Sequence, residues 1–263
     1  MQQGVANVGP TRPAEPSLSL VIPAYNEAAR IGASIRVALA WLGAQSFPTE
    51  LIVVDDGSED ATADIAARSL RGVAMGTLIR APHNGKAAAV RAGMLAATGD
   101  QIAFSDADLA TPLAYLLSLR AALAGGCDIA IGSREGTGAR RIGEPIYRHV
   151  MGRVFNGLVR LVLIPGLHDT QCGFKLFRAD VARDLFRRSR LYRGVGRSLS
   201  GPRVTAFDVE LLTIARVHRY RVCAVPVIWS YGEGTKVRPA RDTWHNVRDV
   251  LQVWIGLKRG RYE

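Results

Sequence analysis

Glu50-Leu-Ile-Val-Val-Asp-Asp-Gly-Ser58 is the stretch that decides the fold, because an apolar run of strand length ends in two acidic residues and a glycine. A similar run, Leu18-Ser-Leu-Val-Ile22, is followed by Pro23, and Gln101-Ile-Ala-Phe-Ser105 is followed by Asp106. Short apolar runs bounded by turn residues predict strands that are buried on both faces, as in a parallel sheet.

Helical periodicity fills the segments between these runs. Ile31, Ile35 and Leu42 recur at helical spacing. Further helices are predicted over 62–70 and 85–97 and from residue 112, and further strands over 73–79 and 128–131. This β-α-β-α order predicts an α/β fold with a mostly parallel sheet flanked by helices, whose ligands gather beyond the carboxyl ends of the strands.

Asp106-Ala-Asp108 emerges at the carboxyl end of the strand predicted at 101–105. Two carboxylates at such a place suit Mg²⁺ or Mn²⁺, hard cations that bind carboxylate and phosphate oxygens. A metal there would neutralise charge on a leaving diphosphate. The alternative is a cap for the helix that begins near residue 112, and for an isolated Asp-X-Asp that alternative is the better one. Motifs elsewhere in the chain reverse this preference.

Two other strand ends carry polar groups. Asp55 and Asp56 end the run at 50–54, where a carboxylate can accept hydrogen bonds from a base or a ribose. The alternative for them is a turn and the N-cap of the next helix. Pro23-Ala-Tyr-Asn-Glu27 ends the first run and adds an aromatic ring that can pack on a base.

These motifs, with Asn-Gly-Lys at 84–86, stand in the order and spacing of family 2 glycosyltransferases, which the chain resembles over about residues 18–240. The segments at 169–175 (Asp-Thr-Gln-Cys-Gly-Phe-Lys), 207–211 (Phe-Asp-Val-Glu-Leu) and 229–236 (Trp-Ser-Tyr-Gly-Glu-Gly-Thr-Lys) are similar to the dolichyl-phosphate glucose synthase branch. The Lys86 segment lacks the spacing of a phosphate-binding P-loop.

The resemblance implies a GT-A fold and an inverting transferase that moves a hexose, with UDP-glucose favoured over GDP-mannose, onto a polyprenyl phosphate. It also implies that Asp106 and Asp108 bracket the metal and the diphosphate. The implied nucleotide-sugar contacts are Pro23, Tyr25, Glu27, Val53, Asp55, Lys86, Asp106, Ala107, Asp108 and Lys236.

The basic composition calls for an anionic partner. The chain has 34 Lys and Arg against 23 Asp and Glu, with a pI near 10.2. A helix at about 144–165 carries a polar stripe, with apolar residues around the rest, and is predicted to lie in a membrane interface. The stripe consists of His149, Arg153, Asn156 and Arg160. The alternative is a helix packed on the core with a solvated basic stripe. A second amphipathic basic helix is predicted at 241–263, and arginines between 183 and 203 either contact headgroups or form a solvated loop.

A polyprenyl phosphate is already anionic near neutral pH, so its attack needs positioning and charge screening more than proton removal. The candidates to hold this phosphate are Arg134, Arg141, Arg148 and Lys175. Asp108, Arg134 and Asp208 are the catalytic candidates. Asp208 stands where relatives with alcohol acceptors carry a base; its spacing of two from Glu210 directs the two side chains apart on a helix, so a structural role stays open.

Composition also bears on location. The three cysteines have no CxxC spacing, which predicts neither a disulfide framework nor a zinc site and favours a reducing, cytoplasmic setting. The sequence contains no run of about 20 apolar residues without a charge, so no membrane span is predicted. The chain is therefore expected to bind the cytoplasmic face of a membrane as a peripheral protein. Residues 1–16 are predicted to form a loose tail, and no oligomeric state is predicted.

Three rival functions remain for a chain of this charge. A family 2 transferase that uses another donor, such as GDP-mannose, or a non-prenyl acceptor differs from the favoured interpretation in its substrates alone. A nucleic-acid-binding module would share the high pI, but no nucleic-acid motif occurs and aromatic residues are only 7%. A catalytically silent membrane adaptor would not need Asp106, Asp108 and Lys236.

Overall fold

The computed structural model of the chain describes residues 16–191, 206–232 and 239–263, with the backbone alone for 239–244. The strands are β1 (Leu18–Ala24), β2 (Thr49–Asp56), β3 (Gly76–Ala81), β4 (Gln101–Ser105), β5 (Ile129–Ser133), β6 (Arg140–Ile142), β7 (Phe174–Arg178), β8 (Val222–Pro226) and β9 (Ile228–Ser230). The helices are α1 (Ile31–Gly43), α2 (Thr62–Leu70), α3 (Lys86–Ala96), α4 (Tyr115–Ala124), α5 (Ile146–Val162), α6 (Ala179–Arg188), α7 (Phe207–Val217) and α8 (Pro239–Lys258).

The main sheet has the strand order β3-β2-β1-β4-β7-β5-β8. β1 to β4 run parallel to one another, β5 pairs parallel with β8, and β7 lies antiparallel between β4 and β5. The predicted mostly parallel α/β sheet is therefore confirmed. β7 was not predicted, because a five-residue strand that pairs only with distant segments carries little local signal. A small parallel sheet joins β6 to β9.

Alternation along the central strands builds two cores, one on each face of the sheet. Val21, Ile52 and Val54 pack on the face that α3 covers, whereas Leu20 and Val53 pack on the opposite face with α1. Apolar side chains on both faces are what a buried parallel strand requires. This packing explains the apolar runs within β1, β2 and β4.

The chain reverses its direction across the sheet between β1 and β4. From β1 it proceeds outward to β2 and β3, and it then returns to the other side of β1 as β4. In open α/β sheets such a switch point leaves a crevice beyond the carboxyl ends of the two strands. The loop after β1 and the Asp106–Asp108 segment after β4 both lie at this crevice.

One prediction about the cysteines is wrong. Cys127 and Cys223 form a disulfide, with their Cα atoms 6.1 Å apart. The sequence hides this pairing because the two cysteines are 96 residues apart, and only the parallel pairing of β5 with β8 brings them together. Cys172 is free and buried. The cysteine argument for a reducing compartment therefore falls away.

The interfacial helix predicted at about 144–165 corresponds to α5, but its polar stripe differs from the prediction. Asn156 faces the interior, beside Phe155 and Val159, and its Oδ1 accepts hydrogen bonds from the backbone N–H and the hydroxyl of Thr170. Arg153 and Arg160 are exposed, but most of the exposed side chains of the helix are apolar, and Ile146, Val154 and Leu161 are the most exposed of these.

The C-terminal helix also differs from its predicted bounds of 241–263. It begins at Pro239 and ends at Lys258, and the chain then turns through Gly260, whose φ is +63°. This turn brings Tyr262 back into the core, where its hydroxyl donates to Glu210. Among the described residues, no helix combines the length and hydropathy needed to cross a membrane.

Candidate active site

Side-chain hydrogen bonds join the loop after β1 to the loop after β2. Asn26, in a left-handed conformation with φ +52°, donates its backbone N–H to the Ser58 hydroxyl at 2.9 Å. Its Oδ1 accepts the backbone N–H of Glu59 at 2.8 Å. The Glu27 N–H donates to the Thr62 hydroxyl at 2.7 Å. The segments Pro23–Glu27 and Asp55–Ser58 are thus held as one wall of the crevice.

Asp56 ties this wall to the start of α3. Its two carboxylate oxygens accept the backbone N–H groups of Asn84 and Gly85, each at 2.9 Å, and its Oδ2 lies 2.8 Å from the Nδ1 of His83. Burial raises the pKa of Asp56, although these hydrogen bonds act in the opposite direction. Gly57, with φ +66°, permits the close approach of this loop to His83, since a β-carbon at position 57 would lie 2.6 Å from the backbone nitrogen of His83.

Asp55 offers one unused acceptor in the candidate nucleoside pocket. The side chain is buried, its Oδ2 accepts the Ser58 N–H at 3.3 Å, and its Oδ1 has no hydrogen-bond partner in the described part of the chain. A buried carboxylate oxygen without a partner is costly, so a ligand donor is expected there. Tyr25 lies nearby and stacks on His83, with ring centroids 3.8 Å apart and planes 6° from parallel.

Two of the implied nucleoside contacts lie deeper than the resemblance suggests. Val53 and Pro23 are both buried, and Val53 has no exposed surface, because both residues lie within paired strands. The prediction that the Val53 side chain lines the pocket is therefore corrected: it packs in the core below Asp55. Glu27 pairs with Arg30 at 2.8 Å at the rim.

Asp106 is held from three sides. Its backbone N–H donates to the Gly173 carbonyl at 3.2 Å, its carbonyl accepts the Leu109 N–H at 3.0 Å, and its Oδ1 lies 2.5 Å from the Nζ of Lys86. Gly173 faces the carboxylate with no side chain between them. Ala107 is buried, and its carbonyl accepts the Ser34 hydroxyl at 2.5 Å.

Asp108 lies at the exposed end of the same turn. Its Oδ1 accepts the Ala110 N–H at 3.1 Å, so the helix-cap role is not the one observed; the residue closes its own loop instead. Desolvation and the charge of Asp106 raise the pKa of Asp108. A carboxylate whose charge is destabilised in this way by a neighbouring carboxylate favours a bound cation.

The carboxylate pair fits a divalent metal as an open site. Among the described ranges, no group of three or more His, Cys, Asp or Glu side chains is placed to hold a metal ion. Asp106 and Asp108 would therefore supply two oxygen ligands and leave the other positions to phosphate oxygens and water, a division that is usual for Mg²⁺. The ammonium of Lys86 already contacts Oδ1 of the Asp106 carboxylate, whose charge such a cation would neutralise.

A second ion pair lies beneath the first. Lys175 on β7 and Asp208 at the start of α7 are both buried, with Nζ and Oδ1 2.6 Å apart, and Nζ also donates to the Cys172 carbonyl. Burial raises the pKa of Asp208, against the opposing charges of Lys175 and Lys86. Lys175 is thus the counter-ion of Asp208, which corrects its predicted role as a contact for the acceptor phosphate.

Two of the other predicted phosphate contacts, Arg134 and Arg141, are already paired with carboxylates. Asp169 binds the Nε and Nη2 of Arg134 at 2.7 and 2.8 Å. Burial opposes the ionisation of Asp169, but the charge and hydrogen bonds of Arg134 outweigh it and hold its pKa at about 2. Arg141 pairs with Glu135 and Glu144.

Arg148, on α5, differs from these arginines because no carboxylate of the described residues pairs with it. Its Nη1 donates to the Tyr231 hydroxyl at 2.7 Å, and its guanidinium lies 5.1 Å from the centre of the Tyr231 ring. A guanidinium without a carboxylate partner can bind phosphate oxygens in a bidentate manner, so Arg148 stays a candidate contact for the acceptor phosphate.

Asp208 and Glu210 point in different directions, as their spacing indicates. Glu210 is fully buried and accepts the backbone N–H groups of Arg190 and Leu191, so its role is structural. Lys236 and the arginine cluster beyond residue 191 lie outside the described residues. Sequence reasoning missed His83, Asp169 and Gly173 as individual contributors, although the last two stand inside a motif that it had recognised.

Comparison with known proteins agrees with this geometry. The sequence pattern of Glycosyl transferase family 2 matches residues 19–186. The chain belongs to this family. A dolichyl-phosphate beta-glucosyltransferase of Drosophila melanogaster is 34% identical over 253 residues, which is 90% of this chain and 74% of the relative.

Solved structures show the same fold. The family 2 chain matches glucosyl-3-phosphoglycerate synthase of Mycobacterium tuberculosis, solved with Mn²⁺, uridine diphosphate and glucosyl-3-phosphoglycerate, with a TM-score of 0.62 and 18% identity over 92% of this chain and 79% of that one. It matches a mannosyltransferase of Pyrobaculum calidifontis, solved with GDP-Man and Mn²⁺, with a TM-score of 0.58 and 20% identity over 98% and 68% of the two chains. The fold is thus the GT-A fold of glycosyltransferases.

Proposed function

We propose that this family 2 glycosyltransferase moves glucose from UDP-glucose onto a polyprenyl phosphate, with inversion at the anomeric carbon. The observation that carries the proposal is the position of Asp106 and Asp108 at the switch point, together with the unused acceptor on Asp55 at the end of β2. The relative named dolichyl-phosphate beta-glucosyltransferase, alike over most of both chains, supports the choice of sugar and acceptor.

The hydrogen bonding of Asp55 favours uracil over guanine. Uracil has one ring N–H between two carbonyl groups, whereas guanine presents a ring N–H and an amino group that suit both oxygens of a carboxylate. The Oδ2 of Asp55 already accepts the Ser58 N–H, so Oδ1 is the carboxylate oxygen that has no partner among the described residues. The single ring N–H of uracil satisfies this oxygen, whereas guanine would also require Oδ2 to accept a second hydrogen bond, which supports a UDP-sugar rather than a GDP-sugar. Tyr25, stacked on His83, would give the base a flat surface.

The carboxylates of Asp106 and Asp108 would hold Mg²⁺ or Mn²⁺, and the bound ion would neutralise charge that builds up on the departing diphosphate. Lys86 lies close enough to Asp106 to contribute a second positive charge to the diphosphate oxygens. Positioned charges of this kind act without rearrangement in the transition state, which makes them effective. Lys236, for which the resemblance implies a phosphate contact, would add to this set.

The acceptor phosphate would be held by Arg148 and by the free edge of Arg134. Asp169 orients Arg134 through Nε and Nη2, and Nη1 makes no hydrogen bond to the described residues. The phosphate attacks as an anion, so the reaction needs no general base, and Asp208 is already paired with Lys175. A single in-line displacement by this anion inverts the anomeric centre and needs no covalent intermediate on the enzyme.

The apolar outer face of α5 suits a lipid acceptor. Ile146, Val154 and Leu161 are exposed by 81%, 70% and 85%, and their spacings of eight and seven residues place them on one helical face. On α8, Leu251, Trp254 and Ile255 are also exposed. These six residues, here called the apolar face, would lie against a membrane surface, and the basic residues Lys258, Arg259 and Arg261 nearby would favour anionic lipid.

We propose further that the protein approaches the membrane from its cytoplasmic side. This proposal rests on the use of a soluble nucleotide-sugar, because the Cys127–Cys223 disulfide removes the argument from the cysteines.

The test of the reaction supplies the protein with Mn²⁺, a polyprenyl phosphate in detergent, and either UDP-glucose or GDP-mannose labelled in the sugar. Label from UDP-glucose that enters the organic phase as a β-linked glucosyl lipid supports the proposal. Label from GDP-mannose alone would replace the donor, and transfer from neither would reject the reaction.

A further inference from the structure

Lys86 and Asp106 form a close ion pair in the crevice. The ammonium lies 2.5 Å from Oδ1 of the carboxylate, and this oxygen is buried and makes no other polar contact. The same carboxylate is one of the two that would hold the metal. Lys86 therefore places a cation of the protein itself at a carboxylate oxygen that a divalent ion would use.

The backbone that carries this ammonium is anchored on both sides of Lys86. Lys86 is the first residue of α3, and Asp56 fixes the segment just before it through the N–H groups of Asn84 and Gly85. A lysine side chain is protonated at neutral pH, and the Asp106 carboxylate oxygen at 2.5 Å faces it with the opposite charge. Lys86 thus places an ammonium directly against Asp106.

The contact changes the charge that a metal ion meets. With its ammonium against Asp106, the pair of carboxylates presents one net negative charge instead of two. A divalent ion must displace the ammonium or share the carboxylate with it, and two cations on one carboxylate repel each other. A diphosphate removes the conflict, because its oxygens can accept both the ammonium and the metal.

We propose that Lys86 is a built-in counter-ion of Asp106 that keeps free divalent metal off the carboxylate pair until a nucleoside diphosphate arrives and takes over the ammonium. Metal and nucleotide then bind with positive coupling, and by reciprocity each raises the affinity of the other by the same factor. The inference rests on the proposed function only in its choice of a diphosphate as the second ligand.

The experiment measures the affinity for Mn²⁺ alone, from the electron paramagnetic resonance signal of free Mn²⁺, in the full chain without nucleotide. Lys86→Met removes the charge and keeps the length, so we expect this variant to bind Mn²⁺ at least about tenfold more tightly than the wild type. Lys86→Arg keeps the charge and should bind like the wild type. Arg80→Gln, which removes an exposed cation paired with Asp64, controls for the change in net charge.

The same titration in the presence of UDP measures the coupling. In the wild type UDP should raise the affinity for Mn²⁺ strongly, and in Lys86→Met this gain should be at least about tenfold smaller. Lys86→Gln provides a second neutral variant if the methionine variant does not fold. The proposal is overturned if neither neutral variant binds Mn²⁺ alone more tightly than the wild type. A failed glucose transfer combined with tighter Mn²⁺ binding would reject the proposed reaction and keep this role of Lys86.

Discussion

Gly173 lies so close to Asp106 that a β-carbon at position 173 would be 2.5 Å from Cγ of the Asp106 carboxylate. The two residues are also joined through their backbones, since the Asp106 N–H donates to the Gly173 carbonyl. β7, which follows Gly173, pairs with β4, which precedes Asp106, so neither backbone can withdraw. The missing side chain at 173 therefore sets the direction in which the carboxylate points.

Gly173→Ala is expected to turn the Asp106 carboxylate away from Lys86 and from the metal position. A misplacement of about 1 Å at a reacting centre costs up to about 100-fold in rate, so the rate of sugar transfer should fall by about that factor. Gly43→Ala, at the end of α1 where an added β-carbon meets no atom within 4 Å, is the matched control. Equal transfer rates in the two variants would show that Gly173 does not position Asp106.

Asp55→Ala is expected to weaken the binding of UDP. The variant loses the buried oxygen assigned to the uracil N–H, and a hydrogen bond to a charged acceptor contributes about 1.5–3 kcal/mol, or roughly 10- to 150-fold in the dissociation constant. Calorimetric titration with UDP and with inorganic pyrophosphate separates base from diphosphate. Pyrophosphate should bind both proteins equally, and an equal loss for the two ligands would contradict the assignment to the base.

The Arg134–Asp169 pair predicts a dependence of stability on pH. The Asp169 pKa falls from an ordinary 3.8 to about 2 in the folded chain, so the unfolded chain binds the proton first as the pH drops. This stabilisation, about 2 kcal/mol, is complete above pH 4 and is lost as the pH falls towards 2. Urea unfolding of the wild type and of Asp169→Asn should show a difference in unfolding free energy that shrinks over this range. A difference that stays constant with pH would refute the assignment.

The apolar face predicts the effect of new charge on membrane binding. Val154→Glu and Leu161→Glu, at positions exposed by 70% and 85%, should leave the fold intact and weaken binding to anionic vesicles at least about tenfold each. Leu117→Glu introduces the same charge at an exposed position on α4 and should float with vesicles like the wild type. If all three variants float equally, the apolar face does not contact the membrane.

The sequence predicts the fold well in its first half, and the reason is local. The apolar runs at 18–22, 50–54 and 101–105 each carry strand length and a turn signal within a few residues, and the observed β1, β2 and β4 contain them. β7 and the Cys127–Cys223 disulfide depend on pairings between distant segments, which no local pattern records.

The candidate site follows the same division. The positions of Asp55 and Asp106 follow from strand ends that meet at one edge of a parallel sheet. The pairing of Lys175 with Asp208 could not be predicted in this way, because it joins β7 to α7 across 33 residues. A sequence does not show that a lysine is the partner of a buried carboxylate. The inward direction of Asn156 likewise depends on Thr170, which folds back on α5.

The most direct test of the central claim is the transfer of labelled glucose from UDP-glucose to a polyprenyl phosphate by the wild type and by Asp108→Asn, each with Mn²⁺ and with a chelator. Asn keeps the size of the side chain and removes the charge assigned to the metal. The account predicts lipid-borne label for the wild type with Mn²⁺, a loss of at least about 100-fold for Asp108→Asn, and none for either protein with the chelator. Equal label in all four reactions would contradict it.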